Sequence, residues 1–279
     1  MFSSDYYPRK VLLLIIAVSL FNYIDRQMLY AVFPLIKSDL RLSDTRLGLL
    51  ASSFMLVYMC VAPLVAWSCS RFARPAIIGV SAVFWSAATL LTGMAGSYPQ
   101  LVCARAAVGV GEAGYGTVSP AYLAEWFPPG SRARVLSLYA LAIPVGSAIG
   151  YLLGGALGQR FGWRTAFYMA AVPGLLLGVS AMYLRETPER EKTDSSSAVP
   201  PGRYADILKN RTYMLVSFSQ AIATFSVGGL AAWMPSYFVR EFGLSVGRAG
   251  LLFGAVTVLA GVTGNLIGGW AADRLRART

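Results

Sequence analysis

A protein built only of helices and threaded several times through a membrane is the fold class this sequence predicts, and three observations predict it. Hydrophobic residues fill 56% of the 279 positions and charged residues 13%, against about 25% charged in an ordinary soluble domain. Six stretches carry no charge over a length that suits a bilayer: 47–70, 75–104, 135–159, 165–184, 212–239 and 249–272. A spanning helix needs roughly 20 mostly apolar residues. Two more stretches have that length but are interrupted by charge, which brings the expected number of spans to eight.

The first interrupted stretch, 11–36, carries Asp25 and Arg26 at its middle. It is too long for the apolar region of a signal peptide and lacks a clean small-residue cleavage site, so it is expected to stay on the protein. The apolar runs 47–70 and 75–104 supply the second and third spans. The fourth, 101–127, carries Arg105, Glu112 and Glu125. The fifth and sixth, 135–159 and 165–184, precede a polar segment at 185–211 with SSS, PP and mixed charges, which has the composition of a linker. The seventh and eighth follow. The expected units are a six-helix bundle over 1–184, a cytoplasmic linker over 185–211 and the first two helices of a second bundle over 212–279.

Lys and Arg are enriched in cytoplasmic loops. With the N-terminus inside, fifteen of the 24 fall on that side, seven on the other and two within spans. Both termini are therefore expected in the cytoplasm, in a multi-pass protein of the plasma or inner membrane. The net charge of +11 reports topology and attraction to anionic lipid heads rather than nucleic acid, because the basic residues sit between apolar runs. Three Cys and no His exclude a disulfide framework, His-based zinc sites and triads that need an imidazole base. No cofactor loop, metal cluster or nucleophile motif suggests an enzyme.

LSVGRAGLL at 244–252 repeats LSDTRLGLL at 42–50 with six of nine positions identical and an offset of 202. Pro34 is echoed by Pro235, and Ser70-Arg71 by Asp273-Arg274, at nearly the same offset. Such echoes indicate two copies of one orientation, as in transporters whose six-helix halves are parallel repeats. The second copy starts near Tyr213 and holds two helices, so a missing C-terminal portion or a partner chain is expected to supply the remainder.

Four segments carry a resemblance: FNYIDRQ in the first helix, RAAVGVGEAGYGTVSPAYLAEWFP in the fourth, RARVLSLYALAIPVGSAIGYLLGG in the fifth and GGWAADRLRAR after the eighth. With them the chain resembles the major facilitator superfamily, and within it the Spinster-like transporters. The resemblance implies a major-facilitator-type helix bundle, made of the first half and two helices of the second. It implies alternating-access transport of lysolipids or sphingosine 1-phosphate-like lipids, with proton coupling. The superfamily's loop signature after the second helix has Gly and Asp where this sequence has Ala66 and Ser70. Arg71 and Arg74 remain, whereas Gly269, Asp273 and Arg274 are intact in the second copy.

A charge at the bilayer centre costs roughly 2.5 to 3.5 kcal/mol even on permissive insertion scales, so Asp25, Arg26, Arg105 and Glu112 need one another. Arg105 and Glu112 are two turns apart on one face, about 10.5 Å along the axis, too far to touch. Asp25 and Arg26 point roughly 100° apart. The economical pairing therefore crosses between helices. Two acids and two bases are neutral together, and protonating one acid leaves a net positive site suited to a phosphate or carboxylate. Asp25 and Glu112 are the expected proton carriers, with Arg26, Arg105 and Tyr115, the last one turn from Glu112, as the substrate-binding group. Structural interhelical ion pairs are the alternative. Arg71, Glu125, Arg132, Arg134, Asp273 and Arg274 are expected in a cytoplasmic gate or charge network. Ala142, Gly146, Gly150, Gly154 and Gly158 form a small-residue stripe for helix packing. Pro120 and Pro144 mark candidate bends.

The expected function is a proton-coupled transporter of an amphiphilic lysolipid or related organic anion. The alternatives are a transporter of small soluble organic anions and a non-transporting membrane fragment, scaffold or receptor.

Overall fold

A computed structural model describes residues 6–69, 71–187 and 207–276, excluding the side chains of 266, 269–273, 275 and 276. Among the described residues, ten helices of seven or more residues follow one another: α1 (Tyr6–Ala31), α2 (Phe33–Asp39), α3 (Asp44–Ser68), α4 (Arg74–Met94), α5 (Tyr98–Glu125), α6 (Pro129–Ala140), α7 (Ala142–Phe161), α8 (Trp163–Met182), α9 (Arg211–Phe242) and α10 (Val246–Arg276). Among the described residues, seven helical segments are long and apolar enough to cross a membrane, with α6 and α7 counted as one at 129–161. The eighth expected span is α5. Its charges keep it out of that set, yet its 28 residues rise about 42 Å. It packs between α3 and α4 like the others.

Two helices expected to be continuous are broken. The first stops at Ala31 and restarts at Phe33; Pro34 sits in the first turn of α2, where its missing N–H is harmless. The fifth pauses at Leu141, three residues before Pro144, which has no N–H to donate to the Ala140 carbonyl. Pro120, by contrast, lies inside α5 without ending it. The uncharged run 75–104 is divided between two helices by Ala95-Gly96-Ser97. Apolarity there continues through a turn.

The stripe on α7 packs against α1. A methyl placed on Gly146 or Gly150 would lie 2.7 or 2.6 Å from the carbonyl oxygen of Leu20 or Ile24; Gly154 meets both the side chain and the backbone of Met28, and Gly158 the side chain of Val32. The opposite face of α7 is also bare: Gly155 abuts Val246 and Gly250, and Gly254 abuts the Ala148 carbonyl. One helix thus joins α1 to α10 by backbone contact.

Arg185 N donates to Tyr7 Oη at 2.6 Å, so the start of α1 and the end of α8 lie on one side. Polar and aromatic contacts between the second copy and the rest gather on the opposite side, while α10 follows α7 from there as far as Pro144, which Gly261 meets. Both Arg240 guanidinium nitrogens bind Asp44, at 3.0 and 2.5 Å. Gly247 N donates to Gln159, and the Trp233 ring lies 5.9 Å from that of Phe33. On the first side, residues 211–230 of α9 are exposed. The repeated sequence has a shared structural role: Ser43 and Ser245 each cap the following helix, accepting from Arg46 N at 3.3 Å and Arg248 N at 3.4 Å.

Candidate functional site

Glycines on α5 bring its neighbours close to the charged residues. Gly109 meets Phe54 of α3, whereas Gly111 and Gly114 meet Trp85 and Ser81 of α4. Between them Glu112 and Arg105 are each 1% exposed, and Asp25 on α1 is 3% exposed. The charges pair across helices. Arg26 is ion-paired with Glu112 and donates from Nε to Oε2 at 3.1 Å. Arg105 Nη1 faces Asp25 Oδ1 at 3.8 Å. Thr89 of α4 holds the other Asp25 oxygen, donating from Oγ1 at 2.5 Å.

The two arginines differ in what remains open. Arg26 is held at two nitrogens by Glu112 and its guanidinium lies 4.7 Å from the Phe54 ring. Arg105 lies 5.5 Å from the same ring. Its Nε and Nη1, with Asp25 Oδ1 and Glu112 Oε1, have no hydrogen-bond partner among the described residues. A buried group left so costs roughly 1 to 3 kcal/mol, more if charged. The chemical capacity is therefore an anion site: a guanidinium whose planar fork is only loosely engaged by one carboxylate, beside a second acid with an open oxygen.

Tyr115 lies on the same face but 2% exposed, with its ring 5.4 Å from Trp85 and its hydroxyl donated to Ile15 O at 2.8 Å. It sits in the helix interface in this conformation. On the N-terminal side, Arg74 forms an ion pair with Glu125, which also accepts from Thr187 Oγ1 at 2.6 Å. Glu186 accepts from Arg74 N. The sequence reading placed Glu125 here without its partners Arg74 and Thr187. Arg132 Nε donates to Phe127 O at 2.9 Å, closing the loop before α6. Arg71 stacks 3.9 Å over Trp67. Arg134 and Arg274 are exposed, and the side chain of Asp273 and residue Ser70 lie outside the described residues, as does most of the linker, 188–206.

Thr89 and Phe54 were missed because each stands in an uncharged run with nothing to distinguish it. The closely spaced glycines of α5 were a usable signal, since small residues in a membrane helix mark close approach.

On the other side Asp39 accepts from Trp163 Nε1 at 3.0 Å and from Arg164 at 2.7 Å. The Arg164 hydrogen bond, then that of Trp163, holds its carboxyl below the usual range.

Antiparallel helices with charges paired at their centre define a polytopic membrane protein. The family model for the Major Facilitator Superfamily matches residues 15–279, and the chain belongs to that superfamily. It is similar to Protein spinster homolog 1 of Xenopus laevis, 31% identical over 97% of this chain and 56% of the relative. It is also 31% identical to the Sphingosine-1-phosphate transporter SPNS2 of Danio rerio, over 92% and 55%, and 32% identical to an MFS-type efflux pump of Mycolicibacterium smegmatis, over 94% and 61%. The chain thus spans little more than half the length of these relatives. Among solved structures, a bacterial homolog to the human lysosomal transporter Spinster, inward-facing and unoccupied, superposes with a TM-score of 0.82 at 27% identity. That match covers 99% of this chain and 65% of the other. A D-xylose-proton symporter shares the fold at a TM-score of 0.71 and 18% identity.

Proposed function

We propose that the chain works in proton-coupled transport of a lysolipid or related amphiphilic anion, by rocking of its two halves about the central charges. The observation that carries this reading is the Arg105 guanidinium, buried with two nitrogens not hydrogen-bonded. It is a site that an incoming phosphate or carboxylate completes in bidentate fashion. The similarity to the Sphingosine-1-phosphate transporter SPNS2 of Danio rerio supports a phosphate-bearing lipid as the substrate class.

Coupling follows from the same cluster. An anion that takes Arg105 away from Asp25, or Arg26 away from Glu112, leaves a carboxylate without its cation, and that carboxylate then binds a proton more readily. Linkage makes the effect mutual: protonation strengthens anion binding by the same free energy. With the N-terminal side cytoplasmic, as the Lys and Arg distribution favours, the halves meet on the outer side and the arrangement faces inward.

The test is binding to the purified chain in nanodiscs of a phosphate-headed lysolipid, an uncharged monoacylglycerol and a soluble organic phosphate, each between pH 5.5 and 8. Tight binding of the phosphate-headed lysolipid alone, strengthened at the lower pH, is expected. Equal binding of the uncharged lipid overturns the anion site, and equal binding of the soluble phosphate replaces lipid by a small anion.

A further inference from the structure

The two acids have no direct opening. The Glu112 side chain is 0% exposed and that of Asp25 is 4% exposed, so a proton bound there must travel through protein. Toward the N-terminal side of the acids, a line of hydroxyl and amide groups is buried. On α1, Asn22 and Ser19 follow Asp25 at intervals of three residues, each step about 4.5 Å along the axis. On α5, Tyr115 and Ser119 follow Glu112 at i+3 and i+7, one helical face. The helices run antiparallel, with Glu112 opposite Arg26 and Tyr115 opposite Ile15, so both series lead to the same side.

These groups are poorly explained as packing. Asn22, Ser19 and Ser119 are buried, Asn22 Nδ2 lacks a hydrogen-bond partner among the described residues, and the two serine hydroxyls meet the Tyr115 hydroxyl without a well-formed hydrogen bond. Alanine at the serines would fill the same space without that cost. Ser19, Ser119 and Tyr139 all interact with the Tyr115 hydroxyl. Tyr139, on α6, is only partly buried.

We infer that Ser19, Asn22, Tyr115, Ser119 and Tyr139 form a proton relay joining Asp25 and Glu112 to the N-terminal side. The inference rests on the proton-coupled reading proposed above. At each hydroxyl a proton is accepted on an oxygen lone pair as the hydroxyl's own proton passes inward. Each O–H bond that breaks is replaced by one that forms, and the net change is one proton added to a carboxylate. The Asn22 amide does not pass protons; it donates to a bridging water and holds it in line. Tyr115 donates to Ile15 O at rest and must turn from it to hand a proton on, which makes it the switching member. At the inner end Asp25 faces Arg105 and Glu112 from α5 and Thr89 from α4, with Arg26 beside it on α1. From α7, Tyr151 binds the neighbouring Gln27.

The experiment is a rapid pH jump on the purified 279-residue chain in nanodiscs, followed by the infrared carboxyl band and assigned with Glu112→Gln and Asp25→Asn. Ser19→Ala/Ser119→Ala, and separately Tyr139→Phe at the partly buried tyrosine, are expected to slow protonation by about a hundredfold or more. The final amplitude should be unchanged, and Ser119→Thr should retain the parent rate. Parent rates in both relay variants overturn the relay and leave coupling intact. A parent with no carboxyl band that responds to pH and vanishes in Glu112→Gln or Asp25→Asn overturns the coupling reading and the relay with it.

Discussion

Arg26 and Arg105 share a ring, Phe54, and a charge environment, but they hold different positions in the site's energetics. Arg26 completes a close pair, and removing one member of such a buried pair leaves the other as an uncompensated charge. Glu112→Ala is therefore expected to destabilise the protein by about 3 to 5 kcal/mol. Arg26→Ala/Glu112→Ala should lose less than the sum of the single changes, since the double change removes both charges. Thermal unfolding in detergent measures this cycle, and additive losses would mean the pair is uncoupled. Arg105, whose nearest carboxylate oxygen is 3.8 Å away, is the residue whose geometry matters for a ligand. Arg105→Lys keeps the charge and loses the fork, so affinity for a phosphate-headed lysolipid should fall about tenfold or more with little change in unfolding temperature. Equal affinity would make Arg105 a structural partner of Asp25. The cross-helix pairing could be derived in advance because only that arrangement satisfies four buried charges whose same-helix spacings forbid contact. The uneven strength of the two pairs could not. It depends on Thr89 occupying one oxygen of Asp25, and a threonine in an apolar run carries no sign of its partner.

At the scale of helices, α1 and α7 touch through backbone. Gly150→Val would drive a branched side chain against the Ile24 carbonyl and is expected to cost about 1 to 3 kcal/mol or more through overpacking. Gly130→Ala, in open space, should change little. A thermal melt comparing the two checks this, and an indifferent Gly150→Val would mean the helices can separate freely. The hydrogen bonds of Asp39 fix α2 to the start of α8. Because its folded-state pKa is lowered, its contribution is fully present above the unfolded value, about 3.9, and is lost as pH falls below that. Asp39→Asn should therefore melt below the parent at pH 7 and converge with it in acid, as pH falls through the lowered folded value; a constant gap would assign the effect to packing. The contribution is small, since the pair is solvated. The stripe on α7 was legible because its period of four is a helix face. The breaks at Val32 and Leu141 were less so, because a proline weakens a helix upstream of itself by an amount that packing decides: Pro34 and Pro144 accompany interruptions, while Pro120 does not.

For the whole molecule, the repeat legible at 42–50 and 244–252 has a physical basis in the two serine caps, which begin equivalent helices in each half. Its partner contacts were not legible, since nothing in the sequence places Arg240 beside Asp44. Asp44→Asn should loosen the meeting of the halves on the side away from the N-terminus. Spin labels at Arg41 and Arg248 are expected to report a broader, longer distance distribution in that variant, and high salt should have a similar effect on the parent. An unaltered distribution would assign the closure to the glycine contacts, the Gly247–Gln159 hydrogen bond and the Phe33–Trp233 contact.

Those glycine contacts have a mechanical consequence. The Asp44–Arg240 attraction decays over several ångströms, whereas dispersion between the bare backbones of α7 and α10 loses a quarter to a half of its strength over a gap of roughly 0.5 to 1 Å. A partly opened junction therefore keeps most of its electrostatic pull while giving up a quarter to a half of its cohesion. Such a joint is firmest when seated, weaker just beyond contact, and drawn back by charge from further out. It behaves as a snap fastener rather than a spring, and a single methyl at Gly250 would act as a shim that holds it off its seat.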